Sequence, residues 1–402
     1  MVPNGWKQVD LGSLFDFKNG LNTDKEHYGS GYKFVNVMDV FGNDILTENK
    51  IIGQVQVSDK ELIAYKLHYG DVLFNRTSET FDEIAMAAVY LDNAVATFGG
   101  FVIRGRPKSN DIYPEYSAFL FQAASYRTQA IKLGQGAVRA NIGQKDLAKV
   151  NVLLPSIMEQ KKITQILSTW DQAISATEKL LEYSQQQKKA LMQQLLTGKK
   201  RLLDENGVRF SGVWKHIKLR SLIKEIKRDK EENPNNIELL TVKLHNKGAV
   251  ASGKFPNSTE GGRPYYKRFA GELIIGRQNL HNGGVAIVPS ECNGLIASNA
   301  ISSFEALNDC DINFILSIMS TIHFRYLIDN LTGGTGQKEV SVRELLNVFV
   351  LIPCVEEQQK IAKVLTIADQ EIETLQKKLD CLKQEKKALM QQLLTGKRRV
   401  KV

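Results

Sequence analysis

The sequence predicts an α+β protein made of two similar halves. Each half is a mixed α/β globular domain followed by a long helix, and the two helices pair as an antiparallel coiled coil with pseudo-two-fold symmetry. Three observations predict this. The twelve residues KKALMQQLLTGK occur at Lys188–Lys199 and return, letter for letter, at Lys386–Lys397. A heptad-spaced stripe leads into both copies, and strand-like runs bounded by turn residues precede each of them.

The duplicated unit is longer than its most obvious part. At the same offset, LLPSIMEQKKITQILSTWDQAI (Leu153 to Ile174) falls on LIPCVEEQQKIAKVLTIADQEI (Leu351 to Ile372). Fainter echoes lie upstream: GWKQVDLGSL with VWKHIKLRSL, GDVLFNR with GELIIGR, and SYRTQAIKLGQG with HFRYLIDNLTGG. In the first copy Ile163, Leu167, Trp170, Ile174, Thr177, Leu181, Ser184, Lys188, Leu191 and Leu195 step by four and three, the spacing of a coiled-coil seam. In the second copy the stripe runs from Ile361 to Leu393, with Lys386 at the place of Lys188. Lysines on a seam read as snorkelling or register-setting residues. Pro155 and Pro353 mark the helix starts, and Gly198 and Gly396 the stops. The predicted boundaries are residues 1–154 and 206–352 for the globular domains, and 155–205 and 353–402 for the helical segments. Each helix is about 40 residues, hence roughly 60 Å long. Duplicated units dock most simply about a two-fold axis, which sets the helices antiparallel.

Within the globular domains the expected strands are KFVNVMDV, GDVLFNR, AMAAVY, GGFVIRGR and KVNVLLP in the first, and ELLTVKL, GELIIGR, GVAIVP, NAISSFEA and NVFVLIP in the second. One helix is expected from Pro114 through Leu133, with a counterpart over residues 312–329, and KRDKEENPNN reads as a polar loop.

Composition narrows the function classes. The net charge of +9 favours a polyanionic partner, yet residues 1–155 carry 16 basic against 17 acidic side chains, so there is no basic slab. Any nucleic acid would be held by specific contacts rather than bulk attraction. The N-terminus lacks a signal-peptide layout and no apolar run is long enough to span a bilayer, which predicts a cytoplasmic protein with no membrane role. The four cysteines have no CxxC spacing and the six histidines no metal-ligand spacing, so neither disulfide nor metal is expected. LTGGTGQKE lacks the GK[ST] ending of a phosphate loop; no GxSxG and no dinucleotide fingerprint is present. No catalytic residue and no cofactor is predicted.

The order of globular domain, P(x)3EQ helix ending QQLLTGK, globular domain, and the same helix again resembles the specificity subunit of type I restriction-modification systems, over essentially the whole chain. The resemblance implies that each globular part is a target recognition domain reading one half of a split site in double-stranded DNA. It implies that the helices set the spacing and bind two copies of an adenine methyltransferase subunit, that an ATP-dependent nuclease and translocase subunit docks on that core, and that the chain is not itself an enzyme. Two other readings are a DNA-binding scaffold of another defence or methylation system, and a coiled-coil interaction protein without a DNA role.

The base-reading candidates lie on loops beside the recurring strands. They are Arg76, Thr77 and Ser78 after GDVLFN, and Arg277, Gln278 and Asn279 after GELIIG; Arg, Gln and Asn suit bidentate contacts to base edges. Asn36 and Asp39 in one half, and Lys243, His245 and Asn246 in the other, occupy matching strand-to-loop positions. Gln135, Arg139, Gln337 and Lys338 sit in glycine-rich segments that permit close backbone approach. For the methyltransferase, the candidate contacts are Gln193, Gln194, Leu195, Leu196 and Lys199, with Gln391, Gln392, Leu393, Leu394 and Lys397. Glu159, Gln160, Glu357 and Gln358 are either first-turn capping residues or further partner contacts.

Overall fold

The computed structural model describes residues 2–136, 138–257, 262–307, 309–331 and 339–401. The chain packs as two compact units: Met1–Glu178 together with Lys377–Val402, and Lys179–Gln376.

The first unit is organised on a five-stranded sheet in the order β2 (Phe15–Asn19), β10 (Val102–Pro107), β6 (Val72–Asn75), β8 (Ala87–Tyr90), β4 (Ile45–Leu46). All four residues of β6 are buried, as befits a central strand covered on both faces. A second sheet joins β5 (Gln54–Val55), β3 (Tyr28–Val35) and β9 (Ala96–Phe98). Two strand pairs complete the unit: β1 (Lys7–Asp10) with β12 (Asn151–Leu154), and β7 (Thr77–Ser78) with β11 (Ala140–Asn141). Among the helices are the short α1 (Leu11–Leu14), α2 (Val37–Phe41), α3 (Asp59–Tyr65), and α4 to α6 (Pro114–Leu120, Ala124–Leu133, Gln144–Leu147).

Two expectations fail here for identifiable reasons. KFVNVMDV is a strand only to Val35 and then turns into α2, because the Asn36 N–H donates to the Asp39 carboxylate at 2.7 Å and starts a helix. The helix expected from Pro114 to Leu133 is two helices, α4 and α5. Phe121 at the break is buried, with its ring edge-on to Phe74 at 4.9 Å and to Tyr126 at 5.0 Å. Core packing therefore overrides a local sequence without any breaker. The second unit repeats the interruption between α8 (Ile312–Met319) and α9 (Ile322–Leu331), where the Thr321 hydroxyl accepts from the Phe324 N–H at 3.1 Å.

The second unit holds a four-stranded sheet ordered β14 (Ile223–Glu225), β21 (Ile301–Ala306), β18 (Leu273–Gly276), β19 (Val285–Ile287). Around it lie the pairs β13 (Lys215–Lys218) with β22 (Phe349–Ile352), β15 (Leu240–Val242) with β16 (Ala249–Ala251), and β17 (Tyr265–Lys267) with β20 (Ile296–Ser298). The short α10 (Val342–Leu346) precedes β22.

The long helices are α7 (Ile157–Leu195) and α11 (Val355–Leu393), 39 residues each and about 58 Å long. They pair antiparallel within each unit. In the first, Lys386 binds Asp171 and Lys383 binds Glu178 at 2.7 Å, so the α7 partner advances as α11 retreats. In the second, Lys188 binds Asp369 and the Ser184 hydroxyl donates to Glu371 at 3.3 Å. Both seam lysines thus end on a carboxylate of the opposite helix, which supports the register-setting reading. No helix among the described residues is long and apolar enough to cross a membrane.

The helix ends complete the cores. Leu393 and Leu394 lie in one apolar cluster with Trp6, Leu154, Ile163 and Leu167; Leu195 and Leu196 lie in another with Leu219, Ile352, Ile361 and Leu365. These four leucines, expected to face a partner, are buried because both meet a globular domain at the foot of the other helix. Of the candidate partner contacts, Gln193, Gln194 and Lys199 with Gln391, Gln392 and Lys397 are the exposed ones.

Candidate nucleic-acid interface

In the first unit several chain segments converge at one end of the sheet. The Gly99–Phe101 loop is tied to Val35 (Gly99 N–H to the Val35 carbonyl, 3.0 Å) and to Arg76 (Arg76 N–H to the Phe101 carbonyl, 2.8 Å). The Ile142 N–H in turn reaches the Arg76 carbonyl at 3.0 Å, bringing in the β11 segment. Asn36, Arg76, Phe101 and the turn before β11 therefore share an edge. Gln135 pairs with Asn141 by two backbone hydrogen bonds of 2.8 and 2.7 Å, and Gln135 and Arg139 are both exposed at that turn.

Not every candidate faces outward. Ser78 is buried and donates to Glu83 at 3.0 Å, and the Thr77 hydroxyl donates to Asn141 at 2.8 Å, because β7 pairs with β11. Asp39 is spent on the start of α2, and burial raises its carboxyl above the usual range. Asn36, Gln135 and Arg139 are exposed, and Arg76 is half-buried.

The second unit gathers equivalent segments. The Arg277 N–H binds the Ala300 carbonyl at 3.0 Å, and the Val340 N–H binds the Arg277 carbonyl at 3.2 Å, matching the bonds around Arg76. Arg277 also pairs with Glu339 at 3.0 Å. The β15–β16 hairpin docks on the loop after β18: His245 and Asn246 donate from their backbone N–H groups to the Asn282 and Gly283 carbonyls, at 2.7 and 3.0 Å. Both residues hold left-handed backbone, φ 60° and 57°, a conformation that histidine and asparagine tolerate better than most. The Asn246 amide donates to the Ser320 carbonyl at 3.2 Å, which makes it an anchor of the turn rather than an outward group. Lys243, His245, Gln278 and Asn279 are exposed around this docked pair of loops. Gln337 and Lys338 lie outside the described residues.

A further constellation joins the helix ends to the globular domains. Glu159 and Gln160, like Glu357 and Gln358, are fully enclosed, so they are neither caps nor partner contacts. Arg399 grips the Glu159 carboxylate with two bonds, 2.7 and 2.8 Å, and Arg201 grips Glu357 with two of 2.7 Å. Each guanidinium lies 5.8 Å over a tryptophan, Trp6 and Trp214 respectively. The hydrogen bonds to the glutamates raise both arginines above their ordinary value. Gln160 accepts from the Tyr113 N–H at 2.7 Å and donates to the Asp111 and Pro155 carbonyls; Gln358 makes the same three bonds with Asp311, Asp309 and Pro353. The signal was available: the EQ pair and an arginine three residues after each stop glycine both recur at the 198-residue offset. Their pairing joins residues 240 and 156 positions apart, which no spacing announces.

Among the described residues no cluster of His, Cys, Asp and Glu could hold a metal. Two proteins of Methanocaldococcus jannaschii, designated the MjaX and MjaVIII specificity subunits of type I restriction enzymes, are 25% and 24% identical to this chain over its full length, covering 95% and 94% of theirs. The fold is that of the type I restriction-modification S subunit from M. genitalium, at a TM-score of 0.61 and 16% identity over 98% of this chain and 99% of that one. The type I restriction modification DNA specificity domain matches twice, at residues 3–183 and 213–384, and the chain belongs to that family.

Proposed function

We propose that this chain is the DNA-recognition subunit of a type I restriction-modification complex, each unit reading one half of a split target. It recognises; methylation and cleavage belong to partner subunits. The observation that carries the reading is the contrast between two kinds of repeated position. The Glu–Arg clamps, each beside a tryptophan, and the EQ contacts recur in both units, as does the half-buried arginine at 76 and 277, whereas the exposed residues at the equivalent edges differ, Asn36, Gln135 and Arg139 against Lys243, His245, Gln278 and Asn279. Identical scaffolding with different edges suits two readers of different words served by two copies of one partner.

In this reading the antiparallel helices fix the gap between the half-sites, as a rigid spacer does for paired major-groove readers. Two adenine methyltransferase subunits bind at the exposed Gln193, Gln194 and Lys199 and at Gln391, Gln392 and Lys397. Gln391 also borders a cavity of about 480 Å³ with Lys383, Lys386 and Lys387. An ATP-dependent nuclease and translocase subunit joins through that core. The test is methylation mapping by single-molecule sequencing in a host that expresses the chain with its adenine methyltransferase. A split motif with a fixed gap and one methylated adenine per strand is expected; an assembled complex that methylates no such motif would refute the reading.

A further inference from the structure

Phe101 is 64% exposed, large and aromatic, and contributes little to the core beneath it. Its loop is nonetheless held hard in place. Besides the bonds to Val35 and Arg76, the Gly20 N–H donates to the Val102 carbonyl at 3.0 Å, the Leu21 N–H to the Phe98 carbonyl at 2.9 Å, and the Val102 N–H to the Gly99 carbonyl at 2.9 Å. The approach is so close that a Cβ on Gly20 would stand 2.0 Å from the Gly99 carbonyl oxygen, and one on Gly100 would stand 1.8 Å from the Asn22 side-chain oxygen. At Gly20 the obstacle is backbone, so only glycine fits there, while at Gly100 the Asn22 side chain would have to move. The fold thus spends an obligatory glycine and five backbone hydrogen bonds to present an apolar ring to solvent, on the strand end bonded to Arg76.

The repeat provides an internal comparison. The carbonyl that accepts from the Arg277 N–H in the second unit belongs to Ala300, the counterpart of Phe101. The ring is therefore not required by the architecture, which forms equally with a methyl group at that place. Met38, 72% exposed two residues beyond Asn36, adds a second apolar group to the first edge.

We infer that Phe101 is a specificity-determining residue of the first unit that packs against the 5-methyl group of a thymine in its half-site. The ring stands beside an arginine suited to a base edge, and the thymine methyl is the one apolar feature the major groove displays. A rigidly held ring loses no conformational freedom on contact, so the methyl is read at small cost. The inference rests on the DNA-recognition reading above and adds a base identity to it.

The test uses the assembled methyltransferase complex and duplexes carrying the mapped target, with each thymine of the first unit's half-site replaced in turn by deoxyuridine. For the unaltered chain, one such replacement weakens binding roughly three- to tenfold, the value of burying about one methyl group. For Phe101→Ala the same replacement changes nothing, while deoxyuridine in the other half-site affects neither protein. Phe101→Ala keeps the melting temperature, since the ring is exposed, and Phe101→Leu retains part of the preference. Equal loss on thymine and uracil duplexes, undiminished binding by Phe101→Ala, or a first half-site without thymine overturns the inference while leaving DNA recognition in place. Absence of target preference in the unaltered complex would instead refute the recognition reading itself.

Discussion

Replacing Arg201 by alanine tests what fastens the long helix to the second globular domain. Glu357 is entirely enclosed, and among the described residues its two oxygens are held by Arg201 alone; the buried Trp214 indole N–H beside it has no hydrogen-bond partner among them. Arg201→Ala therefore leaves a buried carboxylate without a counter-charge, which costs about 3–5 kcal/mol. For a unit of this size that lowers the melting temperature by roughly 6 to 20 °C. In the first unit the Trp6 indole N–H donates to Glu159 at 3.1 Å, and Arg399 is 43% exposed where Arg201 is 19%. Arg399→Ala is accordingly milder, because the Trp6 hydrogen bond and solvent remain to satisfy the Glu159 carboxylate. Removing both charges together, as Arg201→Met with Glu357→Leu, restores most of the stability, because an apolar pair carries no desolvation cost. Calorimetry and circular dichroism melts at neutral pH read all three variants. An Arg201→Ala protein melting within about 2 °C of the unaltered one, or a double variant as weak as the single, would show that the clamp does not hold the unit together.

Gly198 has φ 69° and a Cβ there would meet the Trp214 ring at 3.3 Å, so Gly198→Ala costs about 1–2 kcal/mol in urea unfolding. An unchanged midpoint would contradict the left-handed stop. Lys188→Met and Lys386→Met remove partly exposed ion pairs and shift stability by less than about 1 kcal/mol each; larger losses in the same assay would mean that these pairs are more than register marks. Burial lifts the Cys310 thiol to about 12 and raises Cys292, whereas Cys354 and Cys381 are exposed. A raised value keeps the thiol protonated at pH 8, and only thiolates alkylate. Iodoacetamide at pH 8 should add two groups to the folded protein, with Cys381 the slower because the Glu385 hydrogen bond raises it. Mass spectrometry showing four additions before unfolding would contradict that burial.

The long helices were legible in the sequence because a seam is a local, periodic pattern that every turn repeats, whereas the pairs that set their register, such as Lys386 with Asp171, were not. The positions of the candidate edges were legible for a similar reason: the chain must leave a strand at Arg76 and at Arg277. Which side chains there point outward was not. Ser78 turns inward through pairing of β7 with β11, some sixty residues away, and Asn246 is claimed by the Ser320 carbonyl. The break at Phe121 was equally hidden, since only the finished aromatic cluster rewards it. Glu159 and Glu357 stood plainly in the alignment, yet their role follows from arginines far along the chain.

The first unit is discontinuous, residues 1–178 needing 377–402 to close their core around Leu393 and Leu394. On a ribosome adding about 5–20 residues each second, roughly 10 to 40 seconds pass between the two pieces. During that interval the nascent N-terminal portion waits with part of its apolar surface uncovered, while residues 179–376 emerge in one piece and condense first. A stop codon just before Leu393 therefore falls on the domain synthesised earliest and spares the one made later.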